Sequence, residues 1–233
     1  MVWVKYIDHT YWEENKFFKE GTFPFLIDKD DVISINCWST IGGTFIGIQK
    51  QNGEKIIFKN KPRKMNKDEI ELKYQEFCKT SSDINMHLPT LREYYDTCDH
   101  VTEMGVRGCV SLMAALASNA KKVVAYDIHN VWVPKVEKLT FHCADDLEVE
   151  IEETDFLFID TLHDYDQLKA ELELHAPKVR KWIGFHDTFF FARRGESGGK
   201  GLMDAIDEFL SENTGWSICY HSDENNGLTI IQK

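Results

Sequence analysis

The chain has 233 residues, a formal net charge of −12, 42% hydrophobic residues, 15 Phe and 6 Trp. That length and apolar content suit one α/β domain, or one domain with an appendage, and exclude a disordered chain. The acidic balance argues against nucleic acid as a partner, because phosphate contacts need clustered Lys and Arg, and the basic stretch from Lys59 to Lys67 reads as a solvated linker.

Six cysteines at positions 37, 78, 98, 109, 143 and 219 form no C-x-x-C pair, the pattern of reduced thiols rather than of a disulfide frame or a zinc site. The opening MVWVKYIDHTYWEEN lacks the unbroken apolar segment of a signal peptide. No stretch approaches the roughly 20 apolar residues of a membrane span. The expectation is a soluble, cytoplasmic protein without a membrane partner.

Residues 1–65 read as a β-rich extension, distinct from a domain over 66–233. Val32–Ile35, Thr44–Ile48 and Lys55–Phe58 are short β-type runs, separated by Gly42-Gly43 and Gln51-Asn52-Gly53 as hairpin turns. Such a meander suits a substrate lid, a flap that makes a homo-oligomer, or a cover for a sheet edge. It carries no assignable chemistry. Residues 66 to 98 read as helical, with Ile70, Tyr74 and Phe77 on one face and a second piece starting at Pro89. His87 sits in the connection, where a solvated loop histidine and one overhanging a ligand crevice are both open readings.

From 100 to 129, HVTEMGVRGCVSLMAALASNAKKVVAYDIH reads as strand, glycine turn, helix, strand. A parallel pair joined this way leaves a crevice at its carboxyl ends, where nucleotide-like ligands bind, and Glu103 and Asp127 are expected to face it. Leu139–Cys143 makes a third strand ending near Asp145, and Phe156–Ile159 a central one ending at Asp160. A helix with Tyr165, Leu168, Leu172 and His175 inward follows. Trp182–Phe185 is the fifth strand, ending in His186-Asp187. The glycine-rich FFFARRGESGGKG then reads as a mobile loop whose Arg193 and Arg194 meet an anionic substrate, or as a plain solvent loop. A helix with Leu202, Ile206, Phe209 and Leu210 inward leads to a closing hairpin, Ser217–Tyr220 and Leu228–Ile231, turned at Asn226-Gly227.

The turn E-x-G-x-x-G departs from the dinucleotide fingerprint G-x-G-x-x-G. An acid before the first glycine would repel a pyrophosphate and suits an ammonium or sulfonium ligand. With that turn, DINMHLPTLREYYDTCDHVTEMGVRGCVS, DFLFIDTLHDYDQLKAELELHAPKVRKWIGFHDT, GESGGKGLMDAIDEFL and NNGLTII carry a resemblance. From about residue 83 to the end, the chain resembles the class I S-adenosylmethionine-dependent methyltransferases. The nearest branch is the cephalosporin-hydroxylase-like and sugar O-methyltransferase group, found beside glycan genes and in phage genomes.

The resemblance implies an α/β, Rossmann-like sheet, mostly parallel, with an antiparallel carboxyl-terminal hairpin. It implies S-adenosyl-L-methionine as cofactor, with Glu103, Gly105 and Gly108 at the cofactor turn, Asp127 on the ribose hydroxyls and Asp145 near the adenine. One departure stands out: the position usual for the last glycine holds Cys109. The implied reaction is O-methylation of a small polar acceptor, a sugar or glycan hydroxyl first. Asp160, Asp187 and His186 would hold Mg2+ at the ends of the fourth and fifth strands. In the metal-free alternative, His163 or His186 acts as general base beside Asp187 or Asp160. Two other classes stay open: an NAD-dependent oxidoreductase or epimerase on the same type of sheet, and a non-catalytic cofactor-binding module.

Overall fold

The computed structural model describes residues 64–233 and, before them, the backbone of three strands. The turns expected at Gly42 and at Gln51–Gly53, and residues 60–63 of the basic stretch, lie outside the described residues. The chain divides into two compact units, Met1–Lys61 and Pro62–Lys233. In the first, β1 (Val32–Thr40), β2 (Gly43–Lys50) and β3 (Lys55–Lys59) pair antiparallel in the order 1-2-3. Trp38 lies opposite Phe45 in that register, and Ile46 opposite Phe58.

The second unit begins with α1 (Lys67–Lys79), whose amino end is closed by a reciprocal pair of hydrogen bonds. Asn66 Oδ1 accepts from the Glu69 N–H at 3.0 Å, and Glu69 Oε2 accepts from the Asn66 N–H at 3.0 Å. Next comes α2 (Leu88–Tyr95), with Pro89 in its first turn, where no N–H is missed. Then β4 (His100–Met104), α3 (Val110–Ala117), β5 (Lys122–Asp127), β6 (Leu139–Cys143) and β7 (Thr154–Ile159) follow in order. They lead to α4 (Tyr165–His175), β8 (Val179–His186), α5 (Leu202–Glu212), β9 (Ser217–Ser222) and β10 (Leu228–Gln232). Helix α3 stops two residues short of Asn119, whose N–H is held by Asp96 Oδ1 at 2.8 Å.

The sheet has seven strands in the order β6-β5-β4-β7-β8-β10-β9. The first five run parallel, and β10 lies antiparallel to both β8 and β9. The closing hairpin therefore inserts its second strand beside β8 and leaves its first at the edge. Every residue of β4 and β7 is buried, as a strand covered on both faces requires. Alternation in β7 divides the core. Phe156 and Phe158 pack with Leu91, Tyr95, Leu112 and Leu116 under α2 and α3, whereas Leu157 and Ile159 pack with Leu168, Leu172 and Ile206 under α4 and α5. Burying each of these β7 side chains contributes about 1.5–3 kcal/mol. Among the described residues, no helix is long and apolar enough to cross a membrane.

The parallel strands all end on one side of the sheet. That edge gathers Glu103, Asp127, Asp160, His186 and Asp187.

Candidate active site

At the β4–β5 end, the polar groups are turned inward on the backbone. The Gly105 N–H donates to the Tyr126 carbonyl at 3.0 Å, and Gly105 has φ +83°, in the left-handed region. A Cβ there would collide with the carbonyl of Asp160, so only glycine lets the β4 turn pass this close to the end of β7. Gly108 is different, since a Cβ there would meet only Val110 Cγ2 at 3.9 Å. The left-handed positions of the turn fall on Arg107 (φ 42°) and Cys109 (φ 61°). Cys109 is tied down by its Sγ, which donates to the Trp132 carbonyl at 2.9 Å. Burial pushes this thiol well up, which keeps it inert.

Two expectations change here. Glu103 does not face the crevice: it is 0% exposed, and its Oε1 accepts from Ser111 Oγ on α3 at 2.7 Å. Burial, followed by the charges of Asp160 and Asp127 and only partly offset by the Ser111 hydrogen bond, lifts its pKa to about 8. Its Oε2 is buried and has no hydrogen-bond partner among the described residues. Asp127 is half-buried and already engaged. Its Oδ2 accepts from the N–H groups of Val106 (3.0 Å) and Arg107 (2.8 Å), and its Oδ1 accepts from the His129 N–H (2.8 Å). Of the roughly four acceptor positions on a carboxylate, about one is left for an incoming hydroxyl. Asp145 caps a short 3₁₀ turn through the Leu147 N–H at 2.9 Å, while Asp146 Oδ1 accepts from Gln167 Nε2 at 3.2 Å.

At the β7–β8 end, side chains face one another. Asp160 follows β7, His163 stands three residues on, and His186-Asp187 closes β8. Ligand-type atoms of Asp160, His163 and Asp187 all lie within 4.8 Å of one another. His163 Nε2 is 2.9 Å from Asp187 Oδ2 and 3.6 Å from Asp160 Oδ1, yet it meets neither as an aligned hydrogen bond. Asp187 is 4% exposed, has φ 61°, and its Oδ1 also lacks a hydrogen-bond partner among the described residues. These atoms stand close enough together for one cation to reach all three. Two carboxylates and an imidazole fit a divalent cation.

His186 is placed differently from the expected ligand. It is 2% exposed, and its Nε2 points at the carbonyls of Asp83 (3.0 Å) and Asn225 (3.1 Å), which only accept. Its Nδ1 faces Asp187 Oδ2 at 3.2 Å and Asp160 Oδ1 at 3.4 Å. With acceptors on both sides, both ring nitrogens carry hydrogen. Burial opposes that charge, but Asp160 and Asp187 outweigh it and lift the pKa to about 11. His186 is thus a buried cation bracing the two carboxylates, not a base. His163 has the same balance, burial against Asp160 and Asp187, and its pKa rises to about 10. In turn, burial works against the charge on Asp187, but His163 and His186 hold its carboxyl well below the usual range. The same imidazoles lower Asp160 against its burial.

The neighbouring segments complete the site. His87 is neither solvated nor overhanging: it is 2% exposed, its Nε2 donates to the Glu224 carbonyl at 2.7 Å, and its ring meets His186 edge-on at 5.9 Å. Burial, ahead of the other influences, lowers its pKa and keeps it neutral. Arg193 is committed to Asp204 and Asp207, each at 2.8 Å, and is not free to meet an anion. Phe191 stacks on His163 at 4.6 Å and 2°, and Phe190, 66% exposed, meets Phe191 edge-on at 4.9 Å. A small open pocket is lined by Asp160, Thr161, His163, Glu171 and His186 among others. Glu196 and Phe191 were missed from the sequence. Their residue types carried a signal, but no periodicity links that loop to His163.

No protein-family model and no curated protein matches the chain. Among solved structures it is similar to the MycE methyltransferase of the mycinamycin biosynthetic pathway in complex with Mg, SAH and mycinamycin VI. That likeness has 16% identity and a TM-score of 0.50, and covers 73% of this chain and 55% of that one. The fold is that of the class I methyltransferases.

Two further likenesses have lower scores. Human N-acetylserotonin methyltransferase in complex with SAM has 12% identity and a TM-score of 0.49, with 72% of this chain and 56% of that one covered. The O-methyltransferase from Bacillus cereus in complex with SAH has 15% identity and a TM-score of 0.46, with 71% and 89% covered. The chain spans a little over half the length of MycE and of the human protein. In this fold, the strand-end crevice beyond β4 and β5 holds the Gly105 turn and Asp127, and the Asp160–His163–Asp187 cluster lies beyond β7 and β8.

Proposed function

We propose that the protein is an S-adenosylmethionine-dependent O-methyltransferase that uses a divalent cation and acts on a hydroxyl of a small polar acceptor, a sugar or glycan. The observation that carries this reading is the grouping of ligand-type atoms of Asp160, His163 and Asp187 within 4.8 Å of one another at the carboxyl ends of adjacent strands. That place is where a methyltransferase sheet leaves room for an acceptor next to its cofactor. The sugar class is supported by the pairing of carboxylates, which accept hydroxyl hydrogen bonds, with the exposed Phe190, against which the C–H face of a sugar can lie.

On the cofactor side, the Gly105–Gly108 turn offers an approach to backbone, and Asp127 keeps one acceptor position for a ribose hydroxyl. Asp145 stands at the end of β6, on the adenine side. Glu103, turned inside onto Ser111, braces the β4 turn from beneath. On the acceptor side, Asp160, His163 and Asp187 hold the cation, with magnesium among the ions two carboxylates admit. When bound, a divalent cation lowers the acceptor hydroxyl's pKa and orients its oxygen. That oxygen attacks the methyl carbon in line, the C–O bond forms, and the C–S bond breaks with its electron pair going to sulfur. The hydroxyl proton is released to solvent water, because His163 and His186 keep Asp160 and Asp187 ionised. His186 keeps both of its protons and holds Asp160 and Asp187 apart from protonation throughout.

The test is transfer of a labelled methyl group from S-adenosylmethionine to a panel of monosaccharides and nucleotide sugars, with and without EDTA. Acceptor-dependent, EDTA-sensitive formation of S-adenosylhomocysteine is the expected result. Binding of NAD without binding of S-adenosylmethionine would overturn the reading.

A further inference from the structure

The loop between β8 and α5 looks, from its glycines, like a lid. Its contacts make it a bracket on His163. The Glu196 N–H donates to the His163 carbonyl at 3.0 Å, and the Ser197 N–H donates to Asp164 Oδ1 at 3.0 Å. From the other side, the Tyr165 N–H donates to the Lys200 carbonyl at 3.3 Å. Gly195 is pressed so closely onto the segment that a Cβ would strike the Asp164 carboxylate and lie 2.9 Å from the His163 carbonyl. Loop and segment are joined through backbone, so the side chains that cross between them are held in register.

Two of those side chains act on the imidazole. Phe191 stacks on its face, which fixes the ring plane. Glu196 Oε2 lies 3.1 Å from Nδ1, which fixes the rotation about that plane and retains the hydrogen on Nδ1. An imidazole held this way turns Nε2 to its far edge, where Asp160 and Asp187 stand, and a cation bound there would displace the Nε2 hydrogen and take its lone pair. A histidine that donates one N–H to a carboxylate and offers the other nitrogen to a metal is a recurrent arrangement, and the outer carboxylate contributes to affinity. The donor set also bears on which ion is bound. Magnesium prefers oxygen ligands and keeps its waters, whereas imidazole favours first-row transition ions.

We propose that Glu196 is a positioning residue that aims His163 Nε2 at the cation site, and that this nitrogen makes the site select manganese or a later first-row ion over magnesium. The inference rests on the reading that Asp160, His163 and Asp187 hold a cation. It adds a residue from a different loop and a preference between ions.

The test is calorimetric titration of the full chain, free of S-adenosylmethionine and acceptor, with MnCl2 and separately with MgCl2. The wild-type protein is expected to bind Mn2+ at least about ten-fold more tightly than Mg2+. Loss of such an outer carboxylate costs roughly 10–100-fold in metal affinity, so Glu196→Ala should weaken Mn2+ by that factor and change Mg2+ by less than about threefold. Glu196→Gln, whose amide oxygen still accepts from Nδ1, should recover most of the Mn2+ affinity. His163→Ala should bring the two ions to within about threefold of each other. Glu196 is more than half exposed, so thermal unfolding should show Glu196→Ala folded as the wild type is. Unchanged Mn2+ affinity in Glu196→Ala, or Mg2+ binding as tight as Mn2+ in the wild type, would overturn this inference and leave the cation site standing. Binding of neither ion to the wild type would overturn both.

Discussion

The two halves of the strand-end edge use the same residue types in opposite ways. Beyond β4 and β5, carboxylates serve the backbone: Asp127 accepts three N–H groups, and Glu103 is buried against Ser111. Beyond β7 and β8, the Asp160 and Asp187 carboxylates face two imidazoles and leave an unpartnered Oδ1 and Nε2 among the described residues. The first half is built to hold a turn in shape; the second is built to hold charge. A preorganised turn suits a cofactor that must always sit the same way, and a charged cluster suits the place where charge changes during reaction. Gly105 is where the halves touch, because its missing side chain lets the turn rest on the Asp160 carbonyl.

That division can be broken one half at a time. The largest effect belongs to Asp187→Asn, which removes a charge held between His163 and His186. Methyl transfer should fall by about 10²–10⁴-fold, the range for losing a group that handles the proton or its cation, while the affinity for S-adenosylhomocysteine stays within about threefold. Equal losses of both would mean that the two halves are not separable. Gly105→Val comes next and should damage both halves together. A β-branched residue at φ +83° with a backbone collision costs on the order of 3 kcal/mol or more. Urea unfolding would measure it, and a change under about 1 kcal/mol would deny the contact its role.

Asp127→Asn is smaller and confined to the cofactor half. Charge-assisted hydrogen bonds contribute about 1.5–3 kcal/mol, so S-adenosylhomocysteine should bind roughly ten-fold or more weakly with Mn2+ binding unaltered. Glu103 gives the smallest effect, and its sign is set by its pKa of about 8. Between the ordinary glutamate value and about 8, the unfolded chain releases this proton and the folded chain keeps it. Stability therefore falls as pH rises through that window and is level above it. Glu103→Gln should abolish that fall and leave the variant about 1–2 kcal/mol more stable than wild type at pH 8.5, with little difference at pH 4.5. A variant equally stable at both pH values relative to wild type would place Glu103 in a polar environment instead.

Much of the fold could be read from the chain, because the features that specify it are local. The apolar runs of β4, β5 and β7, the helical spacing of Leu168 and Leu172, and the Asn226-Gly227 turn each act within about ten residues. The closing hairpin was legible for the same reason and set the sheet's edge order. Asp160, His186 and Asp187 were legible as strand-end residues, with His163 a short turn beyond Asp160, since parallel strands deliver their last residues to one edge. What was not legible is which way each side chain turns. His186 was expected among the ligands, yet the carbonyls of Asp83 and Asn225 claim its Nε2. Those two residues come from segments 103 and 39 positions away in the chain. Glu103 was expected in the crevice, and Ser111, in the first turn of α3, draws it inside. Arg193 was open to meeting an anion or to lying in a plain solvent loop, and α5 supplies Asp204 and Asp207 as its partners. In each case the deciding partner lies on another element, and no spacing rule within one element reports it.

What the β4–β5 half holds decides the reaction. Calorimetric titration of the wild-type chain with S-adenosylhomocysteine, and in parallel with NAD, tests this most directly. One-to-one binding of S-adenosylhomocysteine, weakened by Asp127→Asn and indifferent to Asp187→Asn, with no heat from NAD, is the predicted result. Binding of NAD in its place, or no binding of S-adenosylhomocysteine to the folded wild type, would contradict the account.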